Sequence, residues 1–165
     1  MALTLLSFDL DGTLVDTASD RPCRGVHDAL HRLQAHGVRL ACVTNHGLAD
    51  AGVLLQRHDL RRHFELVIGR DSLLQSKPHA SVLRYVADTL GVPRDCMAHV
   101  GDSAVDVMAA RNAGVRAWTV PHRCGIGRPS TEVRPDLLLP DLGAVAQAAL
   151  AIPAFHQRPL MRLFS

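Results

Sequence analysis

A chain of 165 residues, 47% hydrophobic and 21% charged, suits one globular domain with a sizeable core. A net charge of +2 is too slight to argue for a nucleic-acid or anionic-membrane partner, and the longest apolar runs fall short of a membrane span. The N-terminus lacks a basic region ahead of an apolar one, and Asp9 and Asp11 interrupt its early apolar run, so the expected location is the cytoplasm. Cys23, Cys42, Cys96 and Cys124 are scattered without a CxxC pair, so neither a zinc ribbon nor a disulfide framework is expected.

The first expected strand, residues 4–9, is an apolar run ending in Asp9. Asp11 and Gly12 follow it. Residues two apart on a strand point the same way, so the two carboxylates converge if the chain stays extended. Gly12 lets the chain leave the strand by a route costly to other residues. Residues 14–20 read as a short polar exit. Val26, Leu30 and Leu33 mark one face of a helix over 26–35, stopped by Gly37. A buried strand over 38–43 ends at Thr44 and Asn45, and a helix covers 48–58. A short strand over 66–68 follows. Pro78 and Gly91 bracket a helix over 80–90. The strand 97–100 runs into Gly101-Asp102-Ser103, and a helix over 105–112 stops at Gly114. A fifth strand covers 115–120, a loop 121–135, a sixth strand 137–139 and a last helix 142–150. Strands alternating with helices predict an α/β fold, a doubly wound, Rossmann-like parallel sheet in three αβα layers.

The polar residues of interest follow strands. Asp9 and Asp11 come after the first, Thr44 and Asn45 after the second, and Asp102, Ser103 and Asp106 after the fourth, while Lys77 opens a helix. Open parallel sheets bind ligands at the C-terminal strand ends. Four carboxylates gathered there repel one another and call for a cation, and oxygen-only ligation favours Mg²⁺. With a hydroxyl from Thr44 and a fixed charge from Lys77, the set is complementary to a metal-bridged phosphate.

These stretches resemble the haloacid dehalogenase superfamily of phosphohydrolases. Asp9-Leu10-Asp11-Gly12-Thr13-Leu14-Val15-Asp16-Thr17 looks like its first motif and Val43-Thr44-Asn45 its second. Ser76-Lys77-Pro78 looks like the third and Gly101-Asp102-Ser103-Ala104-Val105-Asp106 the fourth. Gly69-Arg70-Asp71-Ser72-Leu73 and Asp106-Val107-Met108-Ala109-Ala110-Arg111-Asn112-Ala113-Gly114 are similar to phosphoglycolate-phosphatase-like members. The resemblance implies that Asp9 is a nucleophile forming an aspartyl-phosphate, and that Asp11 is the acid and then the base. It implies that Asp9, the Asp11 backbone carbonyl and Asp102 hold Mg²⁺, with Asp106 and Ser103 behind the metal. Thr44, Lys77, Asn45 and Gly12 are its implied phosphoryl-binding groups, Thr44 and Lys77 counting also as catalytic.

One departure is large. Relatives of this kind carry a helical cap between the first two motifs, and here only Arg21 separates the stretch 16–20 from 22–26. The reading is a core without a cap, residues 1–152, with a tail at 153–165. Phosphoglycolate specificity therefore does not carry over from the resemblance. The expected substrate is a small phosphorylated metabolite. The alternatives are a macromolecular phosphate (phosphoprotein, glycan, nucleic-acid end or lipid), phosphotransfer to another acceptor, or a non-catalytic phosphate-binding module. A homo-oligomer could cover the open site. His27 and His31, four apart on one helix, read as a solvated stripe rather than a metal pair, and Cys96 and His99 as facing opposite sides of a strand. Gly125-Ile126-Gly127 lacks the strand-to-helix setting of a dinucleotide fingerprint. His46 reads as an exposed loop histidine.

Overall fold

The computed structural model describes residues 2–121 and 133–152. Strand β1 (Leu5–Phe8) lies at the centre of a six-stranded parallel sheet. A small hairpin, β2 (Val15–Asp16) and β3 (Arg21–Pro22), follows it. The other sheet strands are β4 (Arg39–Val43), β5 (Leu66–Ile68), β6 (Met97–Gly101), β7 (Arg116–Thr119) and β8 (Leu137–Leu138). Their order is β5-β4-β1-β6-β7-β8. The five long helices are α1 (Val26–Ala35), α2 (Leu48–Arg57), α3 (Ser81–Leu90), α4 (Ala104–Ala113) and α5 (Leu142–Ala151).

The alternation of side chains along each strand builds two cores, one per face. Leu6, Phe8, Leu40, Cys42, Ala98 and Val100 pack with α1, α2 and α5. Leu5, Ala41, Val43, Met97 and Ala117 pack with α3 and α4. This is the doubly wound, three-layer αβα arrangement, its strands buried on both sides as near-continuous apolar runs. Gly91 and Gly114 end α3 and α4 in the left-handed region, at φ of 66° and 74°, where a β-carbon is costly.

Three expectations change. Residues 14–20 are not a polar exit, because Leu14 and Val15 are fully buried and Val15 pairs with Pro22 in the hairpin. Cys96 closes a 3₁₀ turn before β6 rather than lying on the strand. Cys23 is disulfide-bonded, against the expectation of no disulfide, while Cys42 and Cys96 are free thiols. Cys124, the glycine pair at 125–127, most of the 121–135 loop and the tail at 153–165 lie outside the described residues. His27 and His31 are exposed, as the solvated-stripe reading requires. Between Asp11 and Thr44 the chain forms only the hairpin, α1 and β4, and between Thr44 and Lys77 only α2, a 3₁₀ turn, β5 and a loop. No domain is inserted at either place.

Candidate active site

β1, β4 and β6 run parallel and adjacent, so their C-terminal ends open at one edge. Asp9, Thr44 and Asp102 leave those ends, and all three are buried, as are Lys77 and Asp106. With Asp11, Asn45, His46, Arg70, Ser103 and Val105 they line a cleft of about 480 Å³. A buried charge is tolerated only when it is paired and hydrogen-bonded, and the pairing here centres on Lys77. Its Nζ donates to Asp9 Oδ1 at 2.9 Å and to Asp106 Oδ1 at 2.6 Å.

Lys77 is itself held from behind. The Asn45 amide donates to the Lys77 carbonyl at 3.0 Å and accepts its N–H at 3.2 Å. The resemblance puts Asn45 among the substrate-binding groups; it lines the cleft, and its side chain clamps the backbone of the lysine, which precedes a cis Lys77-Pro78 bond. Asp106 reaches inward from the first turn of α4. Ser103 Oγ donates to its Oδ2 at 3.0 Å and His99 Nε2 lies 3.1 Å from its Oδ1. A β-carbon at position 101 would collide with the Asp106 carboxyl group, so glycine is needed there to admit it.

Beneath the site, Ser7 on β1 and His99 on β6 sit opposite each other in register. Ser7 Oγ and His99 Nδ1 are 2.7 Å apart. Burial is the main cause holding His99 below the usual imidazole range. The ring bridges Ser7 at Nδ1 and Asp106 at Nε2. Burial alone would raise Asp106, but Lys77 and His99 overcome it and hold the carboxyl well below the usual range. Burial would likewise lower Lys77, but Asp106 and Asp9 raise it. Asp9 is pushed well above the usual carboxylate range by burial and by Asp106, against the pull of Lys77. Among the surrounding thiols, burial pushes Cys42 up to about 12, which leaves it inert.

The donor set fits a hard divalent cation. Asp9, Asp102 and Asp106 each offer a buried carboxylate oxygen, and these lie within 4.8 Å of one another. Oxygen-only donors of this kind suit Mg²⁺. Asp106 already receives Lys77, His99 and Ser103, so it suits an anchor behind the ion better than a ligand.

Asp11 stands apart from that cluster, with its side chain half exposed. Its Oδ1 accepts the Thr17 hydroxyl at 2.5 Å, and its Oδ2 faces His46 Nε2 at 4.0 Å. Thr44 Oγ1 accepts the His46 N–H at 3.0 Å, leaving its own O–H to donate into the cleft. Gly12, expected to bind substrate, does not line the cleft. Its φ is 77° and its N–H is taken by the Val15 carbonyl at 2.8 Å. It shapes the turn and has no donor left for a phosphoryl oxygen.

Reading the sequence alone gives Ser7 and Arg70 no role and sets His99 and His46 aside. A signal existed for Ser7 and His99, since a serine and a histidine each interrupt an apolar strand and buried polar groups need partners. For Arg70 the signal was its place just beyond the end of β5, the same rule that selected Asp9, Thr44 and Asp102.

Comparison with known proteins adds to the geometry. The family model for haloacid dehalogenase-like hydrolases matches residues 19–120, beginning after Asp9 and Asp11. A phosphoglycolate phosphatase of Pseudomonas fluorescens is 37% identical over 141 residues, covering 82% of this chain and 52% of that protein. One of Thiobacillus denitrificans is 36% identical over 132 residues, covering 80% and 57%. The chain spans about half the length of these curated relatives. A solved structure from Haemophilus somnus, named for a phosphoglycolate phosphatase, superposes with a TM-score of 0.81 at 20% identity, covering 88% of this chain and 97% of that one. Another, from Lactobacillus delbrueckii subsp. bulgaricus and similarly named, gives 0.66 at 26% identity, covering 78% and 53%. Among the described residues no helix is long and apolar enough to cross a membrane.

Proposed function

Because the chain belongs to the haloacid dehalogenase-like hydrolase family, we propose that it is a Mg²⁺-dependent phosphatase that hydrolyses phosphate monoesters through an aspartyl-phosphate on Asp9. We take residues 1–152 as its hydrolase core. The observation that carries the reading is the buried cluster of Asp9, Asp102, Asp106 and Lys77, opening on one cleft at the ends of β1 and β6.

In this reading Asp9 attacks phosphorus, and the bond from phosphorus to the leaving oxygen breaks. Asp11 gives that oxygen its proton. Thr17 fixes one oxygen of the Asp11 carboxyl group, and the other is left to exchange the proton. Asp11, now ionised, takes a proton from water, which attacks the aspartyl-phosphate. Asp9 is released with inorganic phosphate. Splitting the displacement in two is the advantage of a carboxylate nucleophile. The phosphoryl group in flight needs charge and hydrogen bonds more than covalent help. Thr44 donates its hydroxyl to it, and Lys77 supplies positive charge from a fixed position. Asn45 and Asp106 keep Lys77 there, with Ser7 and His99 beneath. Bound Mg²⁺, held by Asp9, Asp102 and the Asp11 carbonyl, would neutralise the carboxylates and the charge on the phosphoryl oxygens.

We propose a small phosphorylated metabolite as substrate, supported by the names of the relatives. The test is phosphate release from an aryl phosphate with and without Mg²⁺. Turnover that a chelator abolishes and Asp9→Asn reduces to background supports the reading. No metal-dependent turnover, or full activity in Asp9→Asn, refutes it.

A further inference from the structure

Besides Lys77, the cleft is lined by one more permanently charged cation among the described residues, Arg70. The loop that carries it is tightly made. Gly69 N–H donates to Ser72 Oγ at 2.8 Å and Ser72 N–H returns to the Gly69 carbonyl at 3.1 Å. Arg70 N–H donates to the His46 carbonyl at 2.8 Å. A β-carbon at position 69 would collide with the backbone of Leu48, so the loop lies directly against the entrance to α2. Arg70 therefore stands at the rim on fixed backbone.

Its neighbour Asp71 feels the Arg70 charge but forms neither a hydrogen bond nor an ion pair with it. Asp71 Oδ1 accepts the Leu48 N–H at 2.8 Å, and that bond is the main cause holding the Asp71 carboxyl below its usual range. Three of the cleft's acidic residues are engaged with other groups. Lys77 pairs with Asp9 and Asp106, and Asp11 faces Thr17 and His46. The Arg70 side chain has no hydrogen bond or ion pair among the described residues and is exposed. A guanidinium presents a planar fork that matches a carboxylate or phosphate with two parallel hydrogen bonds. The cleft, at about 480 Å³, falls in the range of sites that take whole small molecules, so it has room for more than the phosphoryl group. Between the described strands no domain is inserted above it, so rim residues of the core are placed to contact a substrate.

We infer that Arg70 is a specificity-determining residue that binds a second anionic group on the substrate, so that the preferred substrates are phosphate monoesters bearing a carboxylate or a second phosphate. This rests on the phosphatase reading above, which places the transferred phosphoryl group between Asp9, Thr44 and Lys77.

The experiment measures discrimination within matched pairs. Phosphoglycolate is compared with ethyl phosphate, and a hexose bisphosphate with the hexose monophosphate, in the native protein, Arg70→Gln and Arg70→Lys. The readouts are the ratio of kcat/KM within each pair and, in the Asp9→Asn background with Mg²⁺, the ratio of dissociation constants. The expected result is a preference for the member with the second anion that falls about 10- to 100-fold in Arg70→Gln, the worth of one charged hydrogen-bonded contact, with partial recovery in Arg70→Lys. The pair that loses its preference tells carboxylate from phosphate. A ratio that stays within about twofold of the native value in both pairs overturns the inference. Because the binding ratio needs no turnover, it tests Arg70 even in a protein that fails as a phosphatase.

Discussion

Lys77 and Arg70 line the same cleft with the same charge in opposite conditions. Lys77 is buried and shared by two carboxylates, with its backbone clamped by Asn45. Arg70 is exposed on an equally fixed backbone, but its guanidinium makes no hydrogen bond or ion pair among the described residues. The first cation is committed to holding the site's own charges in place. The second is left for something that arrives. A cation already neutralised within the fold serves the geometry of the reaction, while an unmatched one at the rim serves recognition.

The largest effect should come from the reacting groups that both cations surround. Asp11→Asn should lower turnover of an aryl phosphate by about 10²- to 10⁴-fold, the usual worth of general acid–base help. It should leave phosphate and Mg²⁺ binding in place, because Asp11 lies outside the buried carboxylate cluster. Normal turnover in this variant, read by a steady-state assay, would remove Asp11 from the mechanism.

Lys77→Met tests the committed cation. Removing it leaves Asp9 and Asp106 buried without their shared partner, which should destabilise the fold by about 3–5 kcal/mol. For a chain of this size that is a Tm lower by about 6–20 °C, measured by calorimetry at neutral pH. The corresponding change at Arg70 should move the Tm very little. Equal losses at both positions would erase the distinction between them.

His63 offers the smallest and cleanest contrast, a buried ionisable group with no ion-pair partner among the described residues. It does not line the cleft. Its Nδ1 lies 2.6 Å from Gln34 Oε1 and its Nε2 is buried without a partner. Burial is the main cause holding it below the usual imidazole range. The unfolded chain therefore takes up a proton before the folded one does. The stability His63 contributes is full above about pH 6.5 and declines as pH falls below that value. The slope from this one group is at most about 1.4 kcal/mol per pH unit. Denaturant titrations between pH 7 and pH 5 should show a shallower decline in His63→Gln.

The sheet was legible because its strands are apolar runs punctuated by turn residues. The strand at residues 66–68 and the helix at 26–35 match the structure at both ends. Most of the motif residues were legible for the same reason, since Asp9, Thr44 and Asp102 each follow an apolar strand, whereas Lys77 stood out at the start of a helix. The hairpin of Val15–Asp16 and Arg21–Pro22 was not legible, because strands of two residues have no alternation to read. Leu14 and Val15 looked like part of an exposed exit, yet they complete the core under α1. The Ser7–His99 pair was lost because pairing across β1 and β6 is a matter of register, which one strand alone does not display. Arg70 was passed over because an arginine in a glycine- and serine-containing loop looks like ordinary solvated charge until its cleft and its lack of a hydrogen bond or ion pair among the described residues are seen.

Whether Asp9 carries the phosphoryl group during turnover is decided by acid quenching during steady-state hydrolysis. With a radiolabelled phosphate ester and Mg²⁺, label is expected bound covalently to the peptide containing Asp9, released by hydroxylamine as an acyl phosphate should be, and absent from Asp9→Asn. Rapid turnover with no covalent label at any quench time, or label retained by Asp9→Asn, would contradict a covalent role for this carboxylate.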